Sequence, residues 1–276
     1  MRNLLLSEME RLWKRKLTWV FFLAIPLIIF ATAKYYMSTN LLTPVNSPEH
    51  VSSQNFPVMA LIEQLIVVFN IISLIMLTLS FTEEYRSGQL RMVMLRAFTF
   101  GQLFTAKYLA YVITIVLYFV AYLGNAVVMG QLFFGSEPSV RLFYHETSAS
   151  GAELLIYSLQ YYGTALLTTL AMGSVFTFIA VICSTSTASI GVGKGFLLLS
   201  MGYPTIYSVA NKVLKLQLPD QLELLSITQI QYKGVALMLS DNKVHYPAIV
   251  LGTLEGYIAM GLLGAFIGFT KRDRWI

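Results

Sequence analysis

Six stretches of about twenty or more mainly apolar residues lie between Leu17 and Phe269, which is the length a helix needs to cross a hydrocarbon core of ~30 Å. They run from about 17–37, 58–81, 103–129, 152–183, 189–210 and 247–269. Only helices and closed barrels satisfy the backbone in lipid, and these runs are continuous rather than alternating ten-residue strands. The reading is an all-α membrane protein with six transmembrane helices in a single domain, 1–276. Hydrophobic residues make up 56% of the chain and charged residues 12%, against about a quarter charged in soluble domains.

Basic residues near span ends are retained in the cytoplasm. Of the 19 Lys and Arg, twelve precede the first stretch, lie between the second and third or open the third as Lys107 does, or follow the last. Both termini are therefore expected to be cytoplasmic in a multi-pass plasma-membrane protein. Lys194 is expected about a turn inside the fifth span, near enough to its cytoplasmic end to snorkel. The net charge of +5 reflects this topology and does not form the dense stripe of a nucleic-acid binder. The single cysteine, Cys183, rules out an internal disulfide and reads as a buried structural thiol.

Residues 1–16 place Leu5, Met9, Leu12 and Trp13 on one helical face and Glu8, Glu10, Arg11, Lys14 and Arg15 elsewhere, as in a helix lying in the membrane interface. A secretory signal cleaved near Ala31-Thr32-Ala33 is the weaker alternative. The segment 211–246 carries short apolar patches broken near Gly234, with Pro219-Asp220 and Glu223 as a helix start capped by a carboxylate. It is expected to form short external helices at or dipping into the outer leaflet. Glycine rows at Gly252, Gly256, Gly264 and Gly268, and at Gly191 and Gly195, suggest close helix packing within the subunit or with a second copy.

Catalytic chemistry finds no support. His50, His145 and His245 fall in loops, His145-Glu146 lacks a zincin's second histidine, and no serine sits in a nucleophile elbow. No metal site is expected, and GVGKG around Lys194 does not match a phosphate loop. Glu63 and Glu255 lie within spans, where an ionisable group faces a cavity or a partner. They are candidates for a substrate or cavity site.

The polar segment 82–102 carries the most specific signal. Gly88 breaks a helix, and Leu90, Val93, Met94 and Phe98 form a short apolar run with Arg91 and Arg96 on its polar side. With Glu84 four residues before Gly88, Leu90 after it and Lys107 opening the next span, it resembles the coupling region of permease subunits of the type-2 ABC exporter family. The resemblance covers nearly the whole chain. It departs from the family at Ala97 to Gly101, where many relatives have a proline followed by a small polar and a basic residue. It implies a non-catalytic bacterial permease that exports an amphipathic or hydrophobic peptide, antibiotic or lipid-like compound, in some relatives for self-immunity. The chain would bind no cofactor of its own. ATP and Mg would act on two copies of a cytoplasmic ATP-binding subunit, and a second permease, identical or homologous, would complete the assembly. Glu84, Tyr85, Arg86, Gly88, Leu90, Arg91, Met94 and Arg96 would form the ATPase contact. A secondary carrier or channel using Glu63 and Glu255 is the alternative.

Overall fold

The computed structural model describes residues 1–83, 99–214, 219–241 and 246–271. The architecture is a bundle of long helices. α1 (Arg2–Lys14) turns at the extended residue Arg15 into α2 (Lys16–Asn40). α3 (Phe56–Thr82) is one continuous helix interrupted by π turns at Leu65–Phe69 and Leu79–Glu83. α4 (Phe100–Phe133), α5 (Gly151–Ile182) and α6 (Ser186–Leu214) follow. A 3-10 turn (Asp220–Leu225) then leads into α7, a helical run over 227–239 with a π turn at Ile230–Gly234. α8 (Tyr246–Lys271) completes the chain of elements.

Local chemistry sets these boundaries. Thr99 and Gln102 cap the start of α4 reciprocally: Gln102 N donates to Thr99 Oγ1 at 3.3 Å and Thr99 N to Gln102 Oε1 at 3.2 Å, satisfying two amides that a helix start leaves unpaired. The loop between α2 and α3 is closed by Asn40, whose side-chain amide donates to Val51 O at 2.7 Å and accepts from Val51 N at 3.0 Å. Between α4 and α5 the chain forms a two-stranded hairpin, Val140–Arg141 with Ser148–Ala149.

Among the described residues five helices, α2, α3, α4, α5 and α8, are long and apolar enough to cross a membrane. The stretch read as a fifth span is present as α6, 29 residues long, but its serines, glycines and Lys194 keep it out of that group. α3 and α5 form the centre: 67% of the apolar window of each is buried, against 22–33% in the other three. The remaining helices surround them. On α4 the fully buried Tyr111, Tyr118 and Tyr122 face α3, with Phe69 in edge contact with Tyr118 and Tyr122 at 5.2 Å.

α5 and α8 pack through glycine. A Cβ at Gly261 would stand 2.7 Å from the Ser174 backbone, and one at Gly264 would meet the Phe178 ring at 2.9 Å. Gly268 lies against Val181. Of the glycines read as a packing row, Gly264 and Gly268 thus meet a neighbour within the chain. Gly252, Gly256, Gly191 and Gly195 have open space where a side chain would be. In α6 it is Gly193 that packs closely, against Leu74 of α3.

Candidate functional site

Two polar constellations lie inside the bundle. The first is at the end where α1 packs. Lys107 is fully buried on α4, and its ammonium donates to Glu8 Oε2 of α1 at 2.8 Å. The other oxygen of Glu8 accepts from Arg11 at 3.2 Å. Glu8 itself is buried together with Leu4 and Leu12, so the inner face of α1 is turned slightly from the apolar spacing: it keeps Leu12 and takes in Leu4 and Glu8, while Leu5, Met9 and Trp13 are half-buried beside it. A carboxylate belongs on the buried face because it neutralises a buried cation, and hydrophobic periodicity cannot register that. Trp13 Nε1 donates to Thr114 Oγ1 at 3.2 Å, fastening the end of α1 farther along α4. On α1's exposed side the Lys14 ammonium hydrogen-bonds Glu10 and holds its carboxyl below the usual value.

The foot of α3 is tied down at the same end. Arg15 donates to Leu79 O at 3.0 Å where the second π turn begins, Thr82 Oγ1 donates to Ala180 O at 2.7 Å, and Thr78 shares a 2.9 Å hydroxyl contact with Ser189 of α6. A crevice between α1, α2 and α3 is lined by Glu8, Leu12, Arg15, Thr18, Met76 and Ser80. α3 ends and α4 begins at this end of the bundle. Glu84, Tyr85, Arg86, Gly88, Leu90, Arg91, Met94 and Arg96 lie outside the described residues, as does His245.

The second constellation is midway along the bundle, where the sequence gives external helices that at most dip inward. Asn70 and Gln231, both fully buried, exchange side-chain amide hydrogen bonds at 2.7 and 3.2 Å. Asn70 lies near the middle of α3, so the segment 219–239 reaches the bundle's mid-level and returns. Asn70 directly follows the π turn Leu65–Phe69 and Gln231 lies within the π turn Ile230–Gly234; such turns place a residue out of α-helical phase. Asn70 Nδ2 also donates to Ile66 O at 2.9 Å.

The tip of the re-entrant segment rests on α6. Pro204 has no N–H to give to the carbonyl four residues earlier, and that carbonyl, Ser200 O, accepts from Ser226 Oγ at 2.8 Å. The hydroxyls of Ser200, Ser226 and Thr228 lie within 2.8–3.0 Å of each other. Tyr203, Tyr207 and Tyr257 donate to the carbonyls of Leu222, Pro219 and Leu225. Glu223 pairs with Lys233 and does not cap the turn, whose cap residue is Pro219. Polar residues scattered over four segments made this site hard to find from sequence, and the usable sign was Asn70 inside an apolar run.

The two carboxylates read as cavity candidates are not brought together. Glu63 is exposed on α3 and accepts from the Tyr36 hydroxyl of α2 at 2.9 Å. Glu255 is exposed on α8 beside the open positions of Gly252 and Gly256. Lys194 is also exposed, and it stands eight residues into α6, about 12 Å along its axis. His145 pairs with Asp241 at 3.0 Å, joining the hairpin to the end of α7. Among the described residues, no group of three His, Cys, Asp or Glu could hold a metal ion. Compared with known proteins, the chain matches no family model and no curated sequence.

Proposed function

We propose that the chain is the permease subunit of an ATP-driven exporter of the type-2 ABC family. It would cross the membrane six times, with α6 as the fifth span and both termini in the cytoplasm. It would act with two copies of an ATP-binding subunit and a second permease. The observation that carries this reading is the buried Lys107–Glu8 pair. It fastens α1 to the foot of α4, so the ends of α3 and α4 that flank residues 84–98 stand beside a helix anchored by an ion pair. A push delivered to that connection would act on α1, α3 and α4 together. The re-entrant segment between α6 and α8 and the interfacial character of α1 further support the family resemblance. A permease with no nucleotide site needs a borrowed motor, and a short amphipathic segment bearing Leu90, Arg91, Met94 and Arg96 suits docking in a cleft of an ATPase. The cargo would be an amphipathic or hydrophobic compound leaving the cytoplasm or inner leaflet.

Charge reversal at Arg91 and Arg96, or proline at Leu90 and Met94, should weaken co-purification with the ATP-binding subunit this reading requires and stop export, with membrane insertion retained. Unchanged association in all four variants would refute the assignment. Cargo movement by the chain alone, driven by an ion gradient, would replace it with a secondary carrier.

A further inference from the structure

We infer that α6 is a hinged helix that bends between Ser200 and Pro204, and that the turn Asp220–Leu225 with Ser226 is a splint that holds the hinge in its present form. Three separate features meet there. The first is a weak point in the helix. Within the run Ser200-Met201-Gly202-Tyr203-Pro204 the chain places a proline that cannot donate to Ser200 O and a glycine with open space where a side chain would be. Proline removes a rung and crowds the carbonyl four residues earlier, glycine weakens a helix interior, and sharp bends occur at such residues.

The second is unequal packing on the two sides of that point. Before it, α6 is fastened to α3: Ser189 shares a 2.9 Å hydroxyl contact with Thr78, Gly193 lies against Leu74, and Leu197 is buried. Beyond it, Ile206, Val209 and Val213 are exposed at 61, 53 and 71%, while Tyr207 is buried. A helix half with few buried apolar contacts sits at the low end of local stability. The half over 205–214 is therefore the part that swings, and the half over 186–199 stays with the bundle.

The third is a brace that bridges the weak point and is anchored elsewhere. Ser226 Oγ supplies Ser200 O with the hydrogen that Pro204 lacks, at 2.8 Å; Tyr203 donates to Leu222 O at 3.1 Å, and beyond the hinge Tyr207 donates to Pro219 O at 2.8 Å. The same turn is held to α8 by Tyr257, which donates to Leu225 O at 3.1 Å, and the segment after it is held to α3 by the buried Gln231–Asn70 pair. With the brace seated, both sides of the hinge are tied to one turn. With Ser226 withdrawn, Ser200 O has no intrahelical donor, and a bend that opens this stretch lets water or a neighbouring hydroxyl reach it. Use of the swing in export rests on the exporter reading, whereas the hinge does not.

The test uses the full chain in lipid nanodiscs, without an ATPase or nucleotide, on a Cys183→Ser background with spin labels attached through Leu155→Cys on α5 and Val209→Cys on α6, both exposed positions. Pulsed spin–spin distance measurement then reads where the outer half of α6 stands. The otherwise unchanged chain should give one main distance. Ser226→Ala should raise the share of a second distance relative to the first about fivefold or more. Tyr207→Phe, which frees the far side of the hinge, should shift the distribution in the same direction. Ser226→Ala with Pro204→Ala should return to one distance, because the restored N–H at position 204 serves Ser200 O inside the helix. Unchanged distributions in Ser226→Ala and Tyr207→Phe would overturn the hinge. So would a second distance that persists with Pro204→Ala, which would mean that the turn alone has loosened. Because no partner is present, failure here leaves the ATPase association test independent.

Discussion

Breaking the Lys107–Glu8 pair should release α1 from the bundle, and the size of the effect can be estimated. At 2.8 Å and an effective dielectric of ~20 the attraction is about 6 kcal/mol, much of it offset by the cost of desolvating both charges. Glu8→Gln removes the carboxylate from a fully buried ammonium, a change that costs about 3–5 kcal/mol. Lys107→Met should cost less, because Arg11 still neutralises Glu8 at 3.2 Å. Glu8→Leu with Lys107→Met leaves an apolar contact in place of the pair. Its cost should fall short of the summed single changes by about 2 kcal/mol or more. Trp13 and Trp19 meet edge-on at 5.6 Å where α1 joins α2, so their emission in a detergent thermal melt reports this junction directly. Glu8→Gln should lower the midpoint by about 10 °C. Strict additivity of the single variants, or a Glu8→Gln midpoint within a degree of wild type, would refute the view that this pair fastens α1.

Asn70→Leu should destabilise by about 1–3 kcal/mol because it strands the buried Gln231 amide, and Asn70→Leu with Gln231→Leu should recover part of the loss; thermal melts of the three proteins check this. Gly261→Leu, which drives a side chain into the Ser174 backbone, should prevent tight α5–α8 packing and lower the yield of monodisperse protein on size-exclusion chromatography. Gly252→Ala, facing open space, should leave that profile unchanged. Ser226→Ala should loosen the re-entrant tip by about 1 kcal/mol, measured as faster hydrogen exchange over 226–239 than in the wild type.

The long helices were legible because length and apolar content alone define them, and each observed boundary falls within a few residues of its apolar run. Lys107 was picked out as the residue opening a span, but its partner was not, since Glu8 sits among charged neighbours and apolar spacing counts a carboxylate as outward even where it adjoins the apolar face. The inward reach of 219–239 was hidden for a related reason. Its apolar patches are too short to span, and the groups that hold it at mid-level, Asn70, Ser200, Gln231 and Tyr257, become neighbours only after four segments have packed. The glycines divided by context: the same residue type closes the α5–α8 contact at Gly264 and leaves a bare surface at Gly252, a distinction no spacing rule contains.

The π turn at Leu65–Phe69 holds one residue more than an α-helical turn would, so the two halves of α3 are about 100° out of phase. Deleting any one of these five residues would restore an unbroken 3.6-residue count while swinging the Glu63 half relative to the Leu74 half. Asn70 could then face Gln231 only if the Tyr122 contact with Ala60 O, 2.9 Å long, were given up. The surplus residue works as a phase shifter that lets one helix serve two differently oriented neighbours, and a shortened α3 could satisfy one of them at a time.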